Sequence, residues 1–122
     1  MVTLEDVHDL ASGFHADPER SMSLRAAAYT ERRWLDADMA AIFARTWQWV
    51  CHVEKLAAPG SYVSVSIAGM PVVVVRDRTG ALRAFYNVCK HRAHELLAGF
   101  GTTRNIVCPY HAWTYALDGR LK

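Results

Sequence analysis

Four residues constrain this chain more than any other feature. They are Cys89 and His91, in Asn87-Val88-Cys89-Lys90-His91-Arg92, and Cys108 and His111, in Val107-Cys108-Pro109-Tyr110-His111-Ala112-Trp113. Read in order they give Cys-x-His, then positions 92 to 107, then Cys-x-x-His. A 2Fe-2S cluster with two thiolates on one iron and two neutral imidazoles on the other requires this donor set, and each segment supplies one of each. In an extended loop, residues two apart point the same way, so Cys89 and His91 can meet adjacent irons from one side. Cys108 and His111, three apart across a proline-fixed turn, can do so from the opposite side. Positions 92 to 107, with Gly99 and Gly101, are long enough to leave one loop and return beside it as a hairpin-like arm.

Replacing two thiolates by histidines removes negative charge from one iron, which raises the reduction potential and places the incoming electron on the histidine side. The chemistry expected is therefore one-electron transfer, with proton coupling at the outer imidazole nitrogens. A structural Cys2His2 zinc site is the alternative, but zinc pairs use Cys-x2-4-Cys and His-x3-5-His spacings, and the mixed order here does not fit them. His94 stands three residues past His91, and taking it as a ligand would spoil the Cys-x-His pairing, so it reads as a surface residue. Cys51 and His52 are neighbours on an expected strand and point to opposite faces, and Cys51 reads as a small buried hydrophobe. His8 and His15, with Asp9 and Asp17 nearby, could be imagined as a two-histidine, one-carboxylate iron site, but a capped helix and a surface arm account for them. Lys90 and Arg92 beside the donors are either a docking patch for an acidic reductase or ferredoxin or ordinary solvated charge.

The rest of the chain frames these segments. With 122 residues and 52% hydrophobic content, one small globular domain is expected. The net charge of +2 comes from interspersed basic and acidic residues, which argues against a nucleic-acid partner. The start MVTLEDVHDLASGFH has no basic leader, and the run from Met70 to Val75 is too short to span a bilayer; no membrane partner and a cytoplasmic location are expected. Three cysteines without a secretion signal argue against a disulfide framework. Thr3, followed by Glu5 and Asp6, opens a helix that Gly13 stops; residues 14 to 29 form an irregular arm; Thr30 caps a second helix through about Arg45 with Trp34, Leu35, Met39, Ile42 and Phe43 on its apolar face. From Trp47 the pattern becomes strand-like. Strands are expected over Gln48 to His52, Tyr62 to Ile67, Pro71 to Arg76, Leu82 to Asn87, Ile106 to Val107 and Thr114 to Ala116, with turns at Pro59-Gly60, Ala68-Gly69, Asp77 to Gly80 and Asp118-Gly119. The division is an amino-terminal helical arm over 1–46 and a cluster-binding domain over 47–122.

Tyr86-Asn87-Val88-Cys89-Lys90-His91-Arg92, the later Cys108-Pro109-Tyr110-His111-Ala112-Trp113-Thr114-Tyr115 and Leu117-Asp118-Gly119-Arg120-Leu121 together resemble the Rieske domain of ring-hydroxylating-type oxygenase large subunits. Soluble Rieske ferredoxins share the ligand spacing but typically lack the arginine after the first histidine and the Trp-x-Tyr after the second. Upstream, Ile42-Phe43, Trp47, Val50, His52 and Pro59-Gly60-Ser61-Tyr62 are similar to the family's first helix and strand, so the resemblance covers about residues 29 to 122. It implies a mainly β fold with amino-terminal helices, in which a small antiparallel core carries a two-loop cluster-binding subdomain. It also implies a Rieske 2Fe-2S cluster on Cys89, His91, Cys108 and His111, a reductase or ferredoxin as electron donor, and a mononuclear non-haem Fe(II) in an oxygenase catalytic domain, usually within a homotrimer. The wording from His91 to Leu97 resembles members that oxidise quaternary ammonium compounds such as betaines or carnitine. Because the family's large subunits are several hundred residues long, the chain is expected to be an incomplete Rieske domain without a catalytic iron site. A freestanding ferredoxin-like carrier is the alternative within the redox class, and the helical segment from Trp34 to Trp47 argues against it.

Overall fold

Thr3 starts the first helix, α1 (Leu4–Leu10), by a reciprocal cap: its hydroxyl accepts from the Asp6 amide at 3.1 Å and the Asp6 carboxylate accepts from the Thr3 amide at 2.8 Å. Two otherwise orphaned donors are satisfied in this way. The computed structural model describes residues 2 to 122 and divides them into two compact units, the first ending at Trp47 and the second spanning Gln48–Lys122. In the first unit the arm after α1 is pinned by Met22 N–H on the Gly13 carbonyl (2.8 Å) and by Arg25 on Asp9 (3.1 Å).

A four-residue helix, α2 (Ala27–Thr30), precedes the expected second helix, which is present as α3 (Arg32–Asp38) running directly into a π-turn over Met39–Phe43. Thr30 is not the cap, because its hydroxyl donates back to the Ala26 carbonyl at 3.1 Å and is spent on the preceding turn. The chain breaks instead at Glu31 (φ −96°, ψ 124°). Trp34 is the buried residue of α3, and Arg33 ties that helix to Asp6 of α1 at 3.1 Å.

The second unit is built on a four-stranded antiparallel sheet of order β3-β2-β1-β4, with β1 Ser61–Ile67, β2 Met70–Arg76, β3 Leu82–Tyr86 and β4 Phe100–Thr102. Ala68 (φ 51°) and Gly69 (φ 77°) both take positive φ, the requirement of a two-residue hairpin turn whose twist matches the strands. Between β2 and β3 the buried Asp77 carboxylate accepts from the Thr79 hydroxyl (2.6 Å), from the Thr79 and Ala81 amides and from Arg83 (2.9 Å). Those donors hold its carboxyl well below the usual carboxylate range. A second, two-stranded sheet pairs β5 (Ile106–Val107) with β6 (Thr114–Tyr115).

Two strand expectations change. Residues 48 to 52 are not in a ladder: His52 is extended (φ −66°, ψ 139°) and leads into a 3-10 turn over Val53–Leu56. Trp49 is exposed to solvent, so the apolar run there buries no sheet face. Conversely, β4 is three residues long and keeps Phe100 exposed, so it carries no alternation signal; it exists because Gly101 fits under the Tyr62 ring in register with β1. The core gathers Val75, Leu96, Ile106, Tyr115 and Leu117 around the two cysteines Cys89 and Cys108. The fold is thus mainly β with amino-terminal helices. Among the described residues, no helix is long and apolar enough to cross a membrane.

Candidate metal centre

Cys89 and Cys108 each head a turn closed by the same two hydrogen bonds. In the first loop the Cys89 amide donates to the His94 carbonyl (2.8 Å) and the Ala93 amide donates to the Cys89 carbonyl (2.9 Å). In the second loop the Cys108 amide donates to the Trp113 carbonyl (2.8 Å) and the Ala112 amide to the Cys108 carbonyl (2.9 Å). The matching alanines, Ala93 (φ 55°) and Ala112 (φ 58°), both occupy the left-handed region. The two loops are therefore local copies, with the histidine two places after the cysteine in one and three in the other.

Below the turns the supports differ. The second loop caps the β5–β6 ladder. The first is held by one bridge, Val88 to Glu95, and by the fully buried side chain of Asn87. Asn87 Oδ1 accepts from the Leu97 amide (3.0 Å), and its Nδ2 donates to the Leu97 carbonyl (2.6 Å), to Glu95 Oε1 (3.0 Å) and to Ser64 Oγ (2.9 Å).

The donors sort by depth. Both thiols lie in the core, Cys89 3% and Cys108 2% exposed, whereas His91 and His111 are exposed. The two imidazole centroids are 4.8 Å apart at 66°. Each ring is backed by an aromatic: Trp113 stacks on His91 at 5.0 Å and 5°, and Tyr110 on His111 at 3.9 Å and 28°. Among the described residues, no three His, Cys, Asp or Glu side chains close around a single point; these donors stand as a thiol pair and an imidazole pair.

Burial pushes the Cys89 thiol up, but the Tyr115 hydroxyl, the His91 and Arg92 amides and the Cys108 sulfur outweigh it and leave the group below its ordinary value. Tyr115 Oη lies 3.3 Å from Cys89 Sγ and accepts from the Lys90 amide at 3.0 Å, which leaves its own proton for the sulfur. Burial first, and then the neighbouring Cys89 sulfur, raise the Tyr115 hydroxyl above its usual value. A deprotonated sulfur in an apolar core needs such donors. Two thiols inside and two imidazoles at the surface fit the donor set of a mixed-ligand 2Fe-2S cluster.

Other candidates fall outside this arrangement. The His94 carbonyl holds the Cys89 amide, and its ring nitrogen Nδ1 bonds the Glu95 carbonyl at 2.6 Å, beside the pair of imidazoles and not within it. Cys51 is half-buried and free, and His52 faces Glu54 at 3.4 Å. In the first unit, His15 Nδ1 accepts from the Asp17 amide at 3.0 Å and so serves a turn. Sequence reading assigned no role to Asn87 or Tyr115. An amide two residues before the first cysteine, and a hydroxyl at a buried strand position facing it, were the available signals.

The Rieske [2Fe-2S] domain family model matches residues 46–122. The chain is 42% identical over 116 residues to the carnitine monooxygenase oxygenase subunit of Acinetobacter baumannii, covering 94% of this chain and 31% of that protein. It is 38% identical over 104 residues to the glycine betaine monooxygenase oxygenase subunit of Pseudomonas aeruginosa, covering 84% and 24%. Among solved structures it is similar to a quaternary ammonium Rieske monooxygenase in complex with L-carnitine, with TM-score 0.76 and 45% identity over 79% of this chain and 28% of that one. It is also similar to naphthalene 1,2-dioxygenase from Rhodococcus sp., with TM-score 0.86 and 31% identity over 100% of this chain and 28% of that one. The chain spans about a third of the length of the first of these relatives. With the twin cysteine turns, the depth-sorted donors and the family match all falling on residues 46–122, this chain belongs to the Rieske [2Fe-2S] domain family.

Proposed function

We propose that Cys89 and Cys108 hold one iron and His91 and His111 the other iron of a 2Fe-2S cluster, and that the chain is the electron-relay part of an oxygenase subunit. The observation that carries this reading is the sorting of donors by depth: buried thiols, exposed imidazoles, and 4.8 Å between the two rings. The cluster supplies one-electron redox chemistry. The chain's own residues do the rest. The core around Cys89 and Cys108 excludes water from the sulfur end, and Tyr115 and the loop amides present donors to it. Trp113 and Tyr110 hold the two imidazole planes at the surface, where a redox partner can approach.

The donor of electrons in this reading is a reductase or ferredoxin. The acceptor is a mononuclear non-haem iron site in an oxygenase catalytic domain, within a homotrimer. The substrate class is a small quaternary ammonium compound, supported by the carnitine and glycine betaine monooxygenase subunits among the relatives and by the wording from His91 to Leu97.

The test is the EPR spectrum of dithionite-reduced protein, with iron, zinc and acid-labile sulfide assayed on the same sample. An anisotropic signal averaging below the free-electron value, with iron and sulfide in equal amounts, is expected. A silent, colourless sample holding zinc would overturn the ligand assignment.

A further inference from the structure

The second unit holds a cavity of about 570 Å³ that neither His91 nor His111 lines. Its walls come from most of that unit's elements: Ile67 of β1, Met70 of β2, Ala84 of β3, Leu96 of the first cysteine loop, Ile106 of β5 and Tyr115 of β6. Among the lining side chains one carries a charge, Lys90. β3 is an edge strand of the sheet, and its lining residues Ala84 and Tyr86 are exposed, so water reaches the cavity on that side.

Apolar walls facing water are unfavourable, and a cleft of about 300–1,000 Å³ with few polar groups has the size and lining that take a small molecule. The single charge selects which kind. Lys90 is exposed, and among the described residues its ammonium has no ion-pair partner. A lysine stem lies readily along an apolar wall while its head stays in water, which places a cation at the mouth. The Tyr115 hydroxyl is already engaged with Cys89 Sγ (3.3 Å) and the Lys90 amide (3.0 Å), so it does not compete for the head of a ligand. A cationic head group would be repelled by Lys90, and a plain hydrocarbon would leave the ammonium unmatched. An apolar body ending in one carboxylate meets both features of the cavity.

We propose that this cavity is a binding site for an amphipathic monocarboxylate, its hydrocarbon body among Ile67, Met70, Leu96 and Ile106 and its carboxylate paired with Lys90. The site is separate from the thiol and imidazole donors, and it does not depend on which metal they hold. Binding makes and breaks no covalent bond.

The test is isothermal titration calorimetry of the cluster-loaded chain with hexanoate, octanoate and decanoate, each kept below its micellar concentration. Burial of one methylene corresponds to about fourfold in affinity, so each added pair should tighten binding at least about tenfold, with a negative heat-capacity change. Lys90→Met should weaken decanoate by about fivefold and leave 1-decanol, which has the same body without the charge, unaffected. Ala84→Trp, at an exposed wall position, should fill the cavity and weaken decanoate at least about tenfold, with iron, sulfide and the thermal midpoint unchanged.

Affinity that ignores chain length, or that survives Ala84→Trp, would overturn the site and indicate adsorption to the general surface. Chain-length-dependent binding that Lys90→Met leaves untouched would overturn the carboxylate as the head group. No binding of any of the three acids would overturn the proposal outright, and self-association abolished by Ala84→Trp would then make a second copy of this chain the occupant.

Discussion

The first and second loops close with identical backbone hydrogen bonds, but one stands on a side chain and the other on a ladder. In the second, β5 and β6 pair through their peptide groups directly beneath Cys108. In the first, Asn87 offers Leu97 an acceptor and a donor in the spacing that a strand would offer, and adds Ser64 of β1 and Glu95 to the same amide. A primary amide carries the same acceptor and donor groups as a peptide unit, so one buried asparagine can stand in for a missing strand. The difference teaches that local symmetry of the donors does not require symmetry of their support. Sensitivity to mutation should therefore diverge below the turns and agree within them.

The largest effect should not distinguish the loops. Cys89→Ser and Cys108→Ser should each abolish cluster assembly, read as loss of iron, sulfide and colour, whereas His94→Ala should keep all three. Below the turns the loops should part. Asn87→Ala strands the Leu97 amide and carbonyl in the core and should cost roughly 3 kcal/mol in chemical denaturation. Thr114→Ala, at the foot of the second loop, removes one hydroxyl bond to the Ala112 carbonyl (2.9 Å) but leaves the ladder, and should cost about 1 kcal/mol. Equal costs would refute the distinction.

A smaller contrast concerns the sulfurs, since the Tyr115 hydroxyl reaches Cys89. Removing it by Tyr115→Phe should lower the reduction potential by about 40 mV, because a donor to the sulfur favours the more negative reduced state. Protein-film voltammetry would measure the shift, and an unchanged potential would mean that the hydroxyl serves only the Lys90 amide. Smallest of all, Ala93→Gly and Ala112→Gly should each stabilise the protein by about 0.5–1 kcal/mol, since both alanines sit at positive φ. Similar gains would confirm that the turns are copies; a gain in one alone would show that they are not.

The candidate donors were legible because thiols and imidazoles at this spacing are written in residue type, and the structure brings the two imidazoles to 4.8 Å. The β1–β2–β3 meander was legible from its β-branched and aromatic runs and from the turn residues Ala68-Gly69 and Asp77 to Gly80. What stayed hidden depends on partners distant in the chain. β4 is a strand only because β1 lies beside it, and Asn87 is a clamp only because Leu97 returns to meet it. Thr30 resembled a cap and was not one, since its hydroxyl had a nearer acceptor in Ala26. The run from Gln48 to His52 had strand composition but pairs with no strand of the sheet.

The order of the strands along the chain also bears on how the protein is made. β1, β2 and β3 are sequence neighbours joined by tight turns, so their pairing closes short loops and loses little chain entropy. β4 can dock on β1 only after the whole first loop has been laid down, and the second loop follows it. The meander is thus expected to form early, with the cysteine turns joining a sheet that already exists. Metallation would then be a late step in biogenesis, acting on two short turns and not on an unfolded chain, and refolding monitored at β1–β2 should proceed at nearly the same rate with or without iron and sulfide.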